Sequence, residues 1–253
     1  MRHVTVSFAS TLVMAAPILA GPAPTLQVSI GIRETMTTMP IGANGGTTGG
    51  IEFVDLDSQT LVLDGTWQQF SFDIPTATLT AFAGATANGM LDGTMGTLEH
   101  IRFRNNGNSP GTITLWIDDI NNVFDPPGPP PPVETLIQNF EPPAMVGTEV
   151  TFQEPRFSGS TSAFLAMLPN TSLVTDTVAN TGVQSDQVDF AWLNPADTAA
   201  WLRLTTFQTP NAPNPAIDFG QAVSFWVRGV PEPTTLALLG IGGLLAIRRR
   251  RSA

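Results

Sequence analysis

Apolar and polar residues alternate in short runs over most of the chain, and the runs are separated by Gly, Pro, Asn and Asp. Between Thr25 and Gly229 no helical period of 3.6 is sustained, and a period of two dominates. The alternation predicts strands at Leu26–Ile32, Trp67–Ile74, Leu98–Phe103 and Ile113–Ile117 in the first part of the chain. Further along it predicts Val150–Phe152, Val188–Trp192, Trp201–Leu204 and Ala222–Val227. Within each run every second residue is apolar, as in Phe70, Phe72 and Ile74 or Val223, Phe225 and Val227. One face of each strand therefore has to be covered, and a second sheet is the usual cover. The expected class is all-β, a β-sandwich.

Two segments break the pattern. Residues 1–20 begin with Arg2 and His3, continue through an apolar run from Val4 to Leu19 and end on the small residue Ala20, the form of a secretory signal peptide. At the other end, Val230-Pro231-Glu232-Pro233 precedes the apolar run Leu236–Ile247 and the cluster Arg248, Arg249, Arg250 and Arg251. As a helix that run would reach only about 18 Å, short of a ~30 Å hydrocarbon core, so spanning draws on flanking residues and snorkelling arginines. The arginines are a positive-inside signal that leaves the bulk of the chain outside. This implies a short C-terminal transmembrane helix and an exported body.

Pro126–Pro132 is nearly all proline, a stiff spacer that divides the β region into two pieces of about 100 residues. The expected organisation is 1–20 signal peptide, 21–125 first β piece, 126–132 linker, 133–229 second β piece and 230–253 sorting and anchor segment. The pieces do not repeat each other.

Charge narrows the partners. From Gly21 to Gly229 there are six arginines, no lysine and 20 acidic residues, a formal charge of −14. Phosphate binding needs clustered cations, so nucleic acid is excluded. Without cysteine there are no disulfides, thiolate metal sites or thiol nucleophiles. Tyrosine is also absent, and His100 is the only histidine beyond the signal segment, which reads as a surface or packing residue. Asp118 and Asp119 are adjacent, and strand neighbours point to opposite faces, so they are poorly placed as a glycosidase pair. No enzyme is expected. The Gly-rich stretch 42–50 lacks the Lys-Ser/Thr of a phosphate loop.

Trp116, Trp201 and Trp226 lie out of phase with the apolar residues beside them. Standing outward together on one sheet, they would offer flat platforms to sugar rings. Trp67 and Trp192 read as structural.

The tail, by its Pro231-Glu232-Pro233 and its Arg248 to Arg251, resembles the PEP-CTERM sorting signal. That resemblance implies export through the Sec machinery, transient anchoring in the inner membrane, and an exosortase-type processing enzyme as partner. The end point would be the cell surface or extracellular matrix. The stretches 65–75 and 98–120 resemble the C-terminal half of jelly-roll modules of carbohydrate-binding and galactose-binding-like families. The stretches 136–142, 150–165 and 217–229 resemble the N-terminal half. The order is thus reversed, which fits either one circularly permuted sandwich or two half-modules exchanged between chains. The same resemblance places Asp119 or Asp118 near Glu141, a candidate oxygen site for Ca2+. Extracellular polysaccharide is the expected ligand, the alternatives being a structural role in the envelope or biofilm or, less in keeping with the residues, a fragment of a carbohydrate-active enzyme.

Overall fold

Twelve strands make up the regular structure of the computed structural model, which describes residues 23–35, 49–109, 111–126, 131–207 and 214–231. In chain order they are β1 Thr25–Arg33, β2 Ile51–Val62, β3 Trp67–Asp73, β4 Leu79–Ala83, β5 Met95–Asn105 and β6 Thr112–Phe124. After the prolines come β7 Val133–Gln138, β8 Leu165–Thr175, β9 Ser185–Trp192, β10 Trp201–Thr205, β11 Ala216–Asp218 and β12 Ala222–Pro231. A single 3-10 turn, Ser162–Phe164, is the helical structure among the described residues, and none of their helices is long and apolar enough to cross a membrane. The signal segment 1–20, Glu232, Pro233, Arg248 to Arg251 and the expected C-terminal helix lie outside the described residues.

Two antiparallel sheets face each other. Sheet I runs β10-β5-β1-β2-β4, with β11 continuing the β10 edge of β5. Sheet II runs β3-β12-β6-β9-β8, with β7 beside β6. Both pieces of the sequence supply strands to both sheets. In sheet II, β12 from the second piece lies between β3 and β6 from the first, bonded to both along its length. The strands on either side of the proline stretch are antiparallel neighbours, Phe124 pairing with Val133.

The alternation that predicted the strands is the alternation that fills the space between the sheets. Leu26, Val28, Ile30 and Ile32 of β1, Leu202 and Leu204 of β10, and Val223, Phe225 and Val227 of β12 are all fully buried in one apolar cluster. Phe225 stacks with Phe70 and Phe72 of β3. Each such side chain contributes roughly 1.5–3 kcal/mol on burial, so the cluster dominates the free energy of folding. Val150–Phe152 departs from expectation: Phe152 makes an isolated bridge to Thr206, flanked by the Gln153 N–H on the Thr205 carbonyl and the Phe207 N–H on the Thr151 carbonyl, and no strand forms there.

Candidate functional site

The outward side of sheet I is not a solvated face. On β5 the register slips by one residue opposite Gly31 and Ile32, so that Gly31 faces His100 and Ile32 faces Leu98. The extra residue, Glu99, has both oxygens engaged. Arg203 on β10 donates from Nε to Oε2 at 3.2 Å and from Nη2 to Oε1. Arg33 on β1 reaches Oε1 at 3.4 Å, and the Nδ1 of His100 meets Oε2. Glu99 and His100 are both wholly buried. Only glycine fits opposite the imidazole, because a Cβ on residue 31 would stand 2.0 Å from His100 Cε1.

Aromatic rings seal this cluster. Phe53 and Phe82 have centroids 4.7 Å apart, Phe82 and Trp201 5.6 Å, and Phe53 meets His100 edge-on at 5.5 Å. The Arg102 guanidinium lies 4.9 Å over Trp201 and pairs with Asp57, which also takes Arg104 at 2.8 Å. Burial, with Arg104 nearby, brings the Arg102 pKa down to about 10, so it stays charged at neutral pH. Burial alone would raise the Glu99 carboxyl, but His100, Arg203 and Arg33 more than offset it and hold it at about 2. Burial outweighs Glu99 at His100 and pushes the imidazole below its ordinary range.

Beside this cluster opens a cleft of about 380 Å³, lined among others by Arg33, Ile51, Ala83, Phe157, Ser160 and Arg203. Phe157 is 55% exposed on its rim. Phe157, Arg33 and Arg203 therefore line the same open space.

The three tryptophans do not all share one surface. Trp201 belongs to the ring cluster of sheet I, half-buried. Trp116 and Trp226 are on sheet II, Trp116 under the Arg228 guanidinium at 5.4 Å and Trp226 opposite Gln69 and Asp118. Phase gives the side of a strand and not its sheet: Trp116 and Trp226, on the paired strands β6 and β12, share the outer face of sheet II, whereas Trp201 stands on sheet I, so the three do not form one platform.

Asp118, Asp119 and Glu141 do come to one place, the loop 176–184, but as acceptors for its donors. Asp118 Oδ2 accepts the N–H groups of Asn180 at 2.8 Å and Thr181 at 3.3 Å. Asp119 accepts Asn180 Nδ2 at 2.9 Å and Thr181 Oγ1 at 2.8 Å. Glu141 Oε1 accepts from Val183 and Gln184 at 2.7 and 2.9 Å. The two aspartates do not alternate across the strand, because Asp119 adopts φ 48° at a break in the β6 pairing and both turn to the same loop. Among the described residues no group of three or more His, Asp or Glu could hold a metal ion. The carboxylates expected to serve Ca2+ here accept N–H and O–H donors of the loop. Burial raises the Asp118 carboxyl to about 6. Nearby, Asp186 is buried and accepts the Ser172 hydroxyl at 2.8 Å, and burial lifts it to about 7.

Sequence reasoning missed Glu99, Arg33, Arg203, Phe53, Phe82 and Phe157. Phe53 and Phe82 carried the same out-of-phase signal as the tryptophans. The arginines gave none, since their meeting depends on strand order.

The described part of β12 ends at Pro231, still in register with Ile113. Residues 229–251 match the PEP-CTERM protein-sorting motif. No curated protein and no solved structure matches the chain. The motif marks an exported protein, handled by an exosortase-type enzyme and directed to the cell surface or beyond it.

Proposed function

We propose that the exported body is a non-enzymatic polysaccharide-binding module, and that the cleft on the outer side of sheet I holds a sugar bearing a carboxylate. The observation that carries this is the joint lining of that cleft by Phe157, Arg33 and Arg203. An exposed ring suits the C–H face of a sugar, and the positive charge of guanidiniums lining the same cleft suits its carboxylate. These are two of only six arginines on a body with a formal charge of −14, and they line one opening. The lack of chemistry is supported by Glu99, whose oxygens are already taken by two guanidiniums and an imidazole.

The body is further read as one circularly permuted jelly roll of the carbohydrate-binding type. Support comes from β6 and β7 lying side by side across the proline stretch, and from the mixing of both pieces in both sheets.

Affinity electrophoresis in gels containing polygalacturonate, alginate or neutral dextran tests the ligand. Retardation by the two uronate polymers, reduced by Phe157→Ala and by raised salt, is the expected result. Retardation by none of the three would leave the body with a structural role in the envelope.

A further inference from the structure

The sorting motif and the folded body overlap. The motif match begins at Gly229, yet Gly229, Val230 and Pro231 are still in register with Leu115, Thr114 and Ile113 of β6. Gly229 is buried against the core, where a Cβ would stand 2.4 Å from Leu63 Cδ2, and its carbonyl accepts the Gly65 N–H at 2.9 Å. Val230 lies against the same turn, within 3.4 Å of the Cβ position of residue 65. At about 3.5 Å per extended residue, Pro233 is at most ~7 Å beyond Pro231. An enzyme that grips Pro-Glu-Pro must therefore touch the end of the sandwich or pull β12 out of it.

That end is distinct in two respects. It is where the body also begins: the Thr25 N–H bonds Asn108 Oδ1 at 3.1 Å, and the Pro24 carbonyl accepts the Leu63 N–H at 2.9 Å. Residues 63–66, 106–111 and 193–200, which connect strands at this end, carry just two acids, Asp64 and Asp197. The connections at the opposite end hold Glu34, Asp92, Asp125, Glu141, Glu149 and Asp176. The end from which the tail leaves is the less repelling one.

Resting on the exosortase reading of the tail, we infer that this end, around Gly65, Gly111 and Leu193, is the docking surface for the processing enzyme, which acts on the motif with the body folded and β12 whole. The peptide bond that breaks, its acyl half passing to water or to an amine nucleophile, then lies on the C-terminal side of Pro231.

The full-length chain, co-expressed with an exosortase-type enzyme in a bacterial membrane, provides the test, with release followed in time and the product weighed by intact mass. Thr66→Arg and Leu193→Glu place bulk or charge at exposed positions of the docking end. In a companion chain, a Gly-Ser spacer of roughly eight residues and a second Val-Pro precede Glu232, so that β12 and Pro-Glu-Pro both stay intact and are about 28 Å apart or more when extended. Expected are release slowed about tenfold by either substitution in the native chain, as for a central interface residue, and no slowing in the spacer chain. The Tm of the released Leu193→Glu product should equal that of the wild type, which keeps the result independent of folding. Equal indifference of both chains, or a product ending before Arg228, overturns the docking. If the wild type is not released, and Pro231→Ala with Pro233→Ala changes nothing, the sorting reading itself falls.

Discussion

Glu99 and Asp186 are carboxylates removed from water to the same degree, and they answer in opposite directions. Glu99 sits among Arg33, Arg203 and His100 and is held at about 2. Asp186 has the Ser172 hydroxyl and the distant Glu149, and rises to about 7. The penalty of burial is common to both, so the cations make the difference. Sheet I uses its arginines to keep a charge inside. The acid of sheet II, given none, keeps its proton up to neutral pH.

Removing a cation should break the contrast most strongly. Arg203→Met leaves Glu99 with Arg33 and His100 and should cost about 3 kcal/mol, the lower end for a severed buried pair, read as a loss in urea midpoint at unchanged slope. Next in size is the pH response of Asp186. Its folded pKa of about 7 lies above the ordinary 3.8, so the native state holds a proton the unfolded chain releases, and stability falls as pH rises through that window. Asp186→Asn should therefore stabilise by about 2 kcal/mol or more at pH 8 and flatten the fall, while leaving pH 3.5 nearly unchanged. Glu99 has the opposite sign: its contribution is full above the ordinary 4.5 and is lost as pH falls through about 2. Acid unfolding of Glu99→Gln should accordingly be shallower below pH 4.

Gly31→Ala sharpens the comparison from the side of packing. The new methyl displaces His100 from its place against Phe53 and should cost roughly 1–3 kcal/mol, with a shift in imidazole resonances observable by NMR. Smallest is Phe157→Ala, expected within about 0.5 kcal/mol of wild type in stability because the ring is exposed, while weakening retention by uronate gels.

The strands were largely legible because a half-buried strand writes its buried face into every second residue. Phe70 and Phe72, or Val223, Phe225 and Val227, needed no further information. β2, β4, β7, β8 and β11 were not among the predicted strands; the first four residues of β7, for one, are exposed and show no alternation. The site was legible only in fragments. Trp201 was found by phase, but phase cannot tell that Trp116 and Trp226 belong to another sheet. Asp118 and Asp119 were expected on opposite faces; a left-handed backbone at Asp119, which no glycine announces, turns them together. The burial of His100 follows from Gly31 on the neighbouring strand, a relation that exists only once β1 and β5 are aligned.

The place of β12 has a consequence for the order of events during export. It is the last of the described strands to be synthesised, yet it fills the middle of sheet II and must slot between β3 and β6. Pairings so far apart along the chain close late. The body therefore stays unclosed until β12 has been made, and β12 runs directly into the sorting motif, so that the sandwich locks only when the segment bearing its address is following.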